Sequence, residues 1–170
     1  MVPAGLFLTL RNFIQNSRLM GVRKEQIDDF LKSRKFAIAG VSRNKGKFGN
    51  QVFEHLSKNG YEIIPINPFA DEINGVKCLK SVEELPGEID SLLLATPKSE
   101  SNKVLEMALK NGIKNIWIQQ GGQTAESLEI AAKHEQEIIT GKCIFMFAEP
   151  VNGIHKFHRF VAKVFNQLPK

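Results

Sequence analysis

Cysteine is scarce in this chain, and so are the two largest aromatic side chains: two Cys, one Trp and one Tyr in 170 residues. Cys78 and Cys143 are too few and too far apart for a disulfide framework, and neither sits in a Cys-x-x-Cys or His-interleaved pattern that would hold a metal. A reducing cytoplasm is the expected compartment. As nucleophiles these thiols would need a neighbouring histidine, and neither has one close in sequence, so both are read as buried structural residues. No apolar run approaches the roughly 20 residues that span a bilayer. Met1 to Leu10 lacks the charged start and small-residue cleavage pattern of a signal peptide. Neither a membrane partner nor a targeting leader is expected.

Acidic residues are scarce only at the two ends. Residues 1 to 35 carry seven Lys/Arg against three Asp/Glu, and residues 141 to 170 carry five against one. The middle has eleven against fourteen, so the formal net charge of +5 belongs to the termini and not to a stripe across the body. A basic total would otherwise raise nucleic acid as a partner; this distribution does not call for it. The length supports one substantial core. Residues 1 to 22 are expected to be an N-terminal extension, without clean periodicity and loosely ordered, and residues 23 to 170 a single domain. Internal repeats and low-complexity tracts are absent.

Short apolar runs and helical patterns alternate through that domain. Arg23 to Leu31 places Ile27, Phe30 and Leu31 on one helical face. Phe36 to Gly40 is a continuous apolar strand of the kind covered on both faces. Asn50 to Asn59 reads as a helix with Val52, Phe53 and Leu56 inward, stopped by Gly60. Tyr61 to Ile66 is a second strand, closed by Asn67-Pro68. A short strand near Val76 to Cys78 and one helical turn at Ser81 to Leu85, with the capping-box spacing of Ser81 and Glu84, fill the next stretch. Ile89 to Ala95 is a third strand, followed by a helix from Thr96-Pro97 to about Asn111. Asn115 to Gln119 is a fourth strand, then Gly121-Gly122 and a helix from Thr124 to His134. Ile138 to Thr140 and Ile144 to Phe147 supply one or two last strands, and Ile154 to Asn166 a closing helix. This order predicts an α/β fold: a Rossmann-like, doubly wound, mainly parallel sheet in three α/β/α layers. Ligands in such sheets sit outside the carboxyl ends of the strands. That rule selects the loops Val41 to Phe48, Asn67 to Asp71, Thr96 to Ser99 and Gln119 to Gly122.

The first of these loops lacks both familiar phosphate signatures. Its glycines, Gly40, Gly46 and Gly49, do not have the dinucleotide spacing, and no Gly-Lys-Ser/Thr makes a P-loop. The second strand also ends in Ile66-Asn67-Pro68 where a dinucleotide site wants an acidic residue for the ribose. What is present is a glycine-rich loop with Ser42, Arg43, Lys45 and Lys47, opening a helix. Its backbone N–H groups, hydroxyl and cations suit phosphate oxygens. A solvated basic turn is the other reading that composition allows.

The four loops taken together, Ala-Gly-Val-Ser-Arg, Ile-Pro-Ile-Asn-Pro, Ala-Thr-Pro and Ile-Trp-Ile-Gln-Gln-Gly, resemble the single-domain CoA-binding protein family over about Arg34 to Cys143. That family is similar to the CoA-binding domain of the succinyl-CoA synthetase alpha subunit. The resemblance implies a Rossmann-like fold with coenzyme A, or an acyl-CoA, extended across the loops. Ser42, Arg43, Asn44 and Lys45 would contact CoA from the first loop, Asn67 and Pro68 would line the nucleotide end, and Thr96, Pro97, Ile118, Gln119 and Gln120 would face the pantetheine. Gly40, Val41, Lys47 and Phe48 complete the candidate cofactor-binding set. A lysine that follows the second-strand loop in the synthetase is replaced here by Phe69-Ala70. The synthetase's phosphorylated histidine belongs to a second domain, so ligase activity is not implied.

No residue is nominated as catalytic or metal-ligating. His155 and His158 share a helix face without a carboxylate or thiol to complete a metal set, His55 and His134 are isolated on helices, and Trp117 is read as core. The expected function is binding of CoA or acyl-CoA by a small cytoplasmic module without catalysis of its own. An NAD(P)-dependent oxidoreductase and a ligand-free interaction domain docking through the basic C-terminal helix are the alternatives. A homo-oligomer or a protein partner is left open.

Overall fold

Five short strands run parallel through the centre of the molecule; the inner three are almost wholly buried, and the two edge strands are partly exposed. The computed structural model describes residues 21–149. In chain order the elements are α1 (Lys24–Lys32), β1 (Lys35–Ala39), α2 (Phe48–Lys58) and β2 (Glu62–Ile66), then the two-residue strands β3 (Glu72–Ile73) and β4 (Val76–Lys77). After a 3-10 turn at Val82–Glu84 come β5 (Ser91–Leu94), α3 (Lys98–Lys110), β6 (Asn115–Gln119), α4 (Ala125–Lys133) and β7 (Ile138–Lys142). A second 3-10 turn, Ile144–Met146, follows. Of the expected extension, residues 1 to 22, Gly21 and Val22 are described, and Val22 packs against the core; the rest of it and the expected closing helix, Ile154 to Asn166, lie outside the described residues.

The strand order is β2-β1-β5-β6-β7, and β3 and β4 form a separate antiparallel pair. The chain winds outward from β1 to β2, then crosses back to place β5 on the other side of β1. The switch point therefore lies between β1 and β5, where a doubly wound sheet opens a crevice at its carboxyl edge. This is the predicted Rossmann-like architecture.

Side-chain alternation along β1 sorts the core into two layers. Phe36 and Ile38 join Ile27 and Phe30 of α1 and Val52, Phe53 and Leu56 of α2. Ala37 and Ala39 face the other way, toward a cluster that contains Leu105 and Ala108 of α3 and Ile130 of α4. Period-two alternation on strands and 3.6-residue periodicity on helices account for both sets. Trp117 on β6 is fully buried and donates its indole N–H to the Lys142 carbonyl at 3.0 Å. Its ring meets those of Phe30, at a centroid separation of 5.4 Å, and Phe147, at 5.9 Å.

Two expectations are corrected. Ile144 to Phe147 is not a strand: Ile144–Met146 is a 3-10 turn whose central Phe145 lies against His55, and Phe147, which follows it, lies against Trp117. An apolar run of that length fits strand or helical turn equally, and the aromatic contacts decide it. The capping box at Ser81 is also displaced. Ser81 Oγ accepts from the Glu83 N–H, while the Glu84 carboxylate accepts from Lys80 N at 3.0 Å, one residue before the expected partner.

Candidate functional site

The loop after β1 is folded by its own side chains. Ser42 Oγ accepts from Asn44 N at 3.1 Å, and Asn44 Oδ1 accepts from Gly46 N at 2.8 Å. Asn50, fully buried on α2, donates through Nδ2 to the Ser42 carbonyl at 2.6 Å. From the end of β2, Asn67 Nδ2 donates to the Val41 carbonyl at 2.6 Å, and its Oδ1 accepts from Phe69 N at 2.7 Å. Short polar side chains that bond nearby backbone in this way fix a loop without a regular element.

Two glycines let the loop close onto its surroundings. Gly40 has φ +90°, and a Cβ there would lie 2.7 Å from the Ala95 carbonyl oxygen. At Gly49 a Cβ would lie 2.3 Å from the Gly40 oxygen, so α2 starts in direct backbone contact with the strand end. The loops after β1 and β5 are thus pressed together at the switch point.

Beside them opens a cleft of about 550 Å³ at the ends of β1, β5 and β6. Gly40, Ser42, Lys47, Phe48 and Gly49 line it from the first loop, and Ala95, Thr96, Pro97 and Lys98 from the second. Gln119, Gln120, Gly121 and Gly122 form the third wall. Both α2 and α3 begin at this cleft, and neither has a side-chain cap: Lys47 and Pro97 occupy the cap positions. The first N–H groups of a helix have no partner within it, and the helix dipole makes that end favourable for an anion. Lys47 and Lys98 add positive charge beside these starts; the first turn of α2 has no acidic residue to complement the dipole, whereas that of α3 has Glu100. Among the described residues, the titratable groups of the lining are these two lysines, without a carboxylate, imidazole or thiol.

The candidate residues thus divide by position. Gly40, Ser42, Lys47, Phe48, Thr96, Pro97, Gln119 and Gln120 line the cleft. Val41 is buried, and its carbonyl is the acceptor for Asn67. Asn44 braces the β1 loop internally through Gly46 N, while the Asn67 amide joins the β1 loop, at the Val41 carbonyl, to the β2 loop, at Phe69 N. Arg43 and Lys45 are exposed on the loop outside the lining, as is Pro68 beside Asn67. Gln119 is 9% exposed, and its Oε1 accepts from Ile144 N at 3.2 Å, which anchors the segment after β7 to the cleft wall.

Three residues were missed from sequence. Asn50 lies three positions before Phe53 and Ser101 four before Leu105, so each is a polar residue on an inward helix face, a visible signal of a structural hydrogen bond. Ser101 Oγ lies 3.0 Å from Thr96 Oγ1 and donates to the Pro97 carbonyl at 3.1 Å, fixing the β5 loop. Gly49 was seen only as a loop glycine, although its spacing from Gly40 is what lets α2 touch the strand end.

The cysteines stand apart from this site. Cys78 and Cys143 are free and buried. Burial pushes the Cys78 thiol above its ordinary range, the reverse of what a nucleophile requires. Among the described residues no group of three or more His, Cys, Asp or Glu is placed to hold a metal ion, and no helix is long and apolar enough to cross a membrane.

A parallel sheet with an anion-suited cleft at its switch point defines a Rossmann-like cofactor-binding domain. The chain belongs to the CoA binding domain family, whose model matches residues 34–149. It is 32% identical over 129 residues to the alpha subunit of ADP-forming acetate–CoA ligase II from Pyrococcus furiosus, a match that covers 69% of this chain and 28% of that subunit. It is 30% identical over 122 residues to the uncharacterized protein YneT of Bacillus subtilis, covering 71% of this chain and 90% of that protein. A solved structure of a conserved hypothetical protein from Pyrococcus furiosus matches with a TM-score of 0.63 and 37% identity, covering 65% of this chain and 96% of the other. The chain thus shares a CoA-binding region with ligase subunits while spanning about a quarter of the length of the one compared.

Proposed function

We propose that this protein binds coenzyme A or an acyl-CoA in the cytoplasm as a non-catalytic binding or regulatory module. The observation that carries the proposal is the pair of uncapped helix starts, α2 and α3, opening on one cleft with Lys47 and Lys98 beside them. Phosphate oxygens would take the amides of the α2 start, the Ser42 hydroxyl and the Lys47 ammonium, with Arg43 and Lys45 approaching from the loop's outer side. The neutral pantetheine arm would lie along Thr96, Pro97, Gln119 and Gln120. The family match supports CoA as the ligand, and the ligase relative works on CoA by its name.

The described cleft lining favours binding without chemistry: among the described residues its ionisable groups are lysines at helix starts, with no acid, imidazole or thiol to move a proton or form a covalent intermediate. Against a nicotinamide cofactor stands Asn67. It occupies the end of β2, where an acidic residue would accept from the ribose, and both ends of its amide are bonded to backbone. Isothermal titration with CoA, acetyl-CoA, NAD and NADP tests the proposal. Binding of CoA or acetyl-CoA without the nicotinamide nucleotides is expected; preference for NAD or NADP, or silence with all four, would overturn it.

A further inference from the structure

The loop after β2 exposes an aromatic ring while holding its own backbone fixed. Phe69 is 84% exposed, and Val76, at 39%, is the other large exposed hydrophobic among the described residues. A single exposed apolar side chain requires no explanation by itself; its placement here does. The Phe69 N–H donates to Asn67 Oδ1, and the same Asn67 side chain ties this loop to the loop after β1. On the far side of the ring, Lys80 Nζ donates to the Ala70 carbonyl at 2.9 Å and to Asp71 Oδ1 at 2.6 Å. Phe69 is therefore displayed from a segment pinned on both flanks.

We infer that Phe69 is the stacking platform for the adenine ring of bound CoA, an assignment that rests on reading the adjacent cleft as the CoA site. The strand ends lie in the order β2, β1, β5, β6, and neighbouring strands are about 4.8 Å apart, so the row of loops is about 14 Å across. The cleft occupies the β1, β5 and β6 part of that row. CoA has a flat base at one end, phosphates next to it and a thin arm beyond. Among the described residues the β6 wall, Gln119, Gln120, Gly121 and Gly122, offers no ring, and the ring in the cleft lining, Phe48 on the β1 side, is half-buried and packed edge-on against Phe145 at a centroid separation of 5.4 Å. At the β2 end stands Phe69, on the loop that Asn67 ties to the Arg43-bearing loop through the Val41 carbonyl. The base accordingly belongs at the β2 end, with the phosphates over the β1 loop and the arm running toward β6. Where the resemblance led to an expected lysine, Phe69 replaces a contact to phosphate by a contact to the base.

Titration of CoA into the wild type, Phe69→Ala and Phe69→Trp tests the assignment. The ring is exposed, so neither change threatens the core. Base–aromatic stacking is large enough that Phe69→Ala should weaken CoA binding by about 10- to 100-fold. Phe69→Trp should keep CoA affinity within about threefold, and its new indole should be quenched by CoA beyond any change in the wild type, whose one tryptophan is buried. Unchanged affinity in Phe69→Ala, equal loss in both variants, or an unquenched indole would overturn the assignment while leaving the cleft as a CoA site. A wild type silent toward CoA would overturn both.

Discussion

Helix starts in this molecule are built in two ways. At α4, Thr124 Oγ1 accepts from Ser127 N at 3.0 Å and Ser127 Oγ accepts from Thr124 N at 3.0 Å. Asn102 Oδ1 then accepts from Thr124 Oγ1 at 3.0 Å and from Ser127 Oγ at 2.6 Å. The Thr124 and Ser127 N–H groups at that start are thus satisfied within the protein, and Asn102 locks α4 to α3. At α2 and α3 the cap positions are Lys47 and Pro97, and neither provides a capping hydrogen bond. Both of these starts open on the cleft, and Thr124 is not part of its lining; α1, away from the cleft, also lacks a side-chain cap at Arg23, but there Gln26 Oε1 accepts from the Arg23 N–H at 2.8 Å. A missing cap costs about 1 kcal/mol of stability. Two such omissions at one cleft, with Lys47 and Lys98 beside them, are the feature on which the proposal of CoA binding rests.

The contrast can be broken at several points. The largest effect is expected at the contact that brings α2 to the strand end. Gly49→Ala puts a Cβ 2.3 Å from the Gly40 oxygen, and because the obstacle is backbone the variant should lose roughly 2–3 kcal/mol in urea denaturation, together with its CoA binding. Next comes Arg43→Ala with Lys45→Ala. Both side chains are exposed, so stability should stay within about 0.5 kcal/mol, while CoA affinity falls about tenfold and its salt dependence flattens. Full CoA affinity in this double variant would remove the outer side of the loop from the site.

Thr124→Ala should cost about 1 kcal/mol in the same denaturation measurement and leave CoA affinity unchanged, because that cap serves the fold and not the cleft. A loss of affinity without a loss of stability would erase the distinction between the two kinds of start. The smallest effect concerns pH. Lys80 beside Asp71 holds its carboxyl below the usual carboxylate range. The folded value is the lower one, so the pair's contribution is present above the unfolded value of about 3.9 and is lost as pH falls through the folded one. Carboxyl-carbon NMR should show the Asp71 midpoint below about 3.9 in the wild type and a return toward it in Lys80→Met.

The architecture was legible because its elements are short, apolar and sharply ended. Asn115 to Gln119 reads as a strand from sequence and is one, and Val52, Phe53 and Leu56 sit on the face their spacing predicts. Boundaries were less legible at the cleft, where α2 begins at Phe48 and not at Asn50: Lys-Phe-Gly gives no cap signal, since the cap is missing. Ile144 to Phe147 was misread because local apolarity fits two conformations and distant aromatic rings choose between them. Within the candidate site, the ends of the loops were legible as a group. Roles inside it were not, because a side chain that touches a ligand and one that holds the loop use the same residue types. Asn67 reads as a nucleotide contact, and its amide turns out to bind the β1 and β2 loops to each other.

Amide chemical-shift mapping of the wild type with CoA, and with NAD as control, tests the central claim most directly. The account predicts that CoA moves the N–H signals of Ser42 to Gly49 and of Lys98 and Ser99 most, leaves Thr124 to Ser127 in place, and that NAD moves none of them. Shifts centred on the capped α4 start, or a CoA response that spares the α2 start, would contradict it.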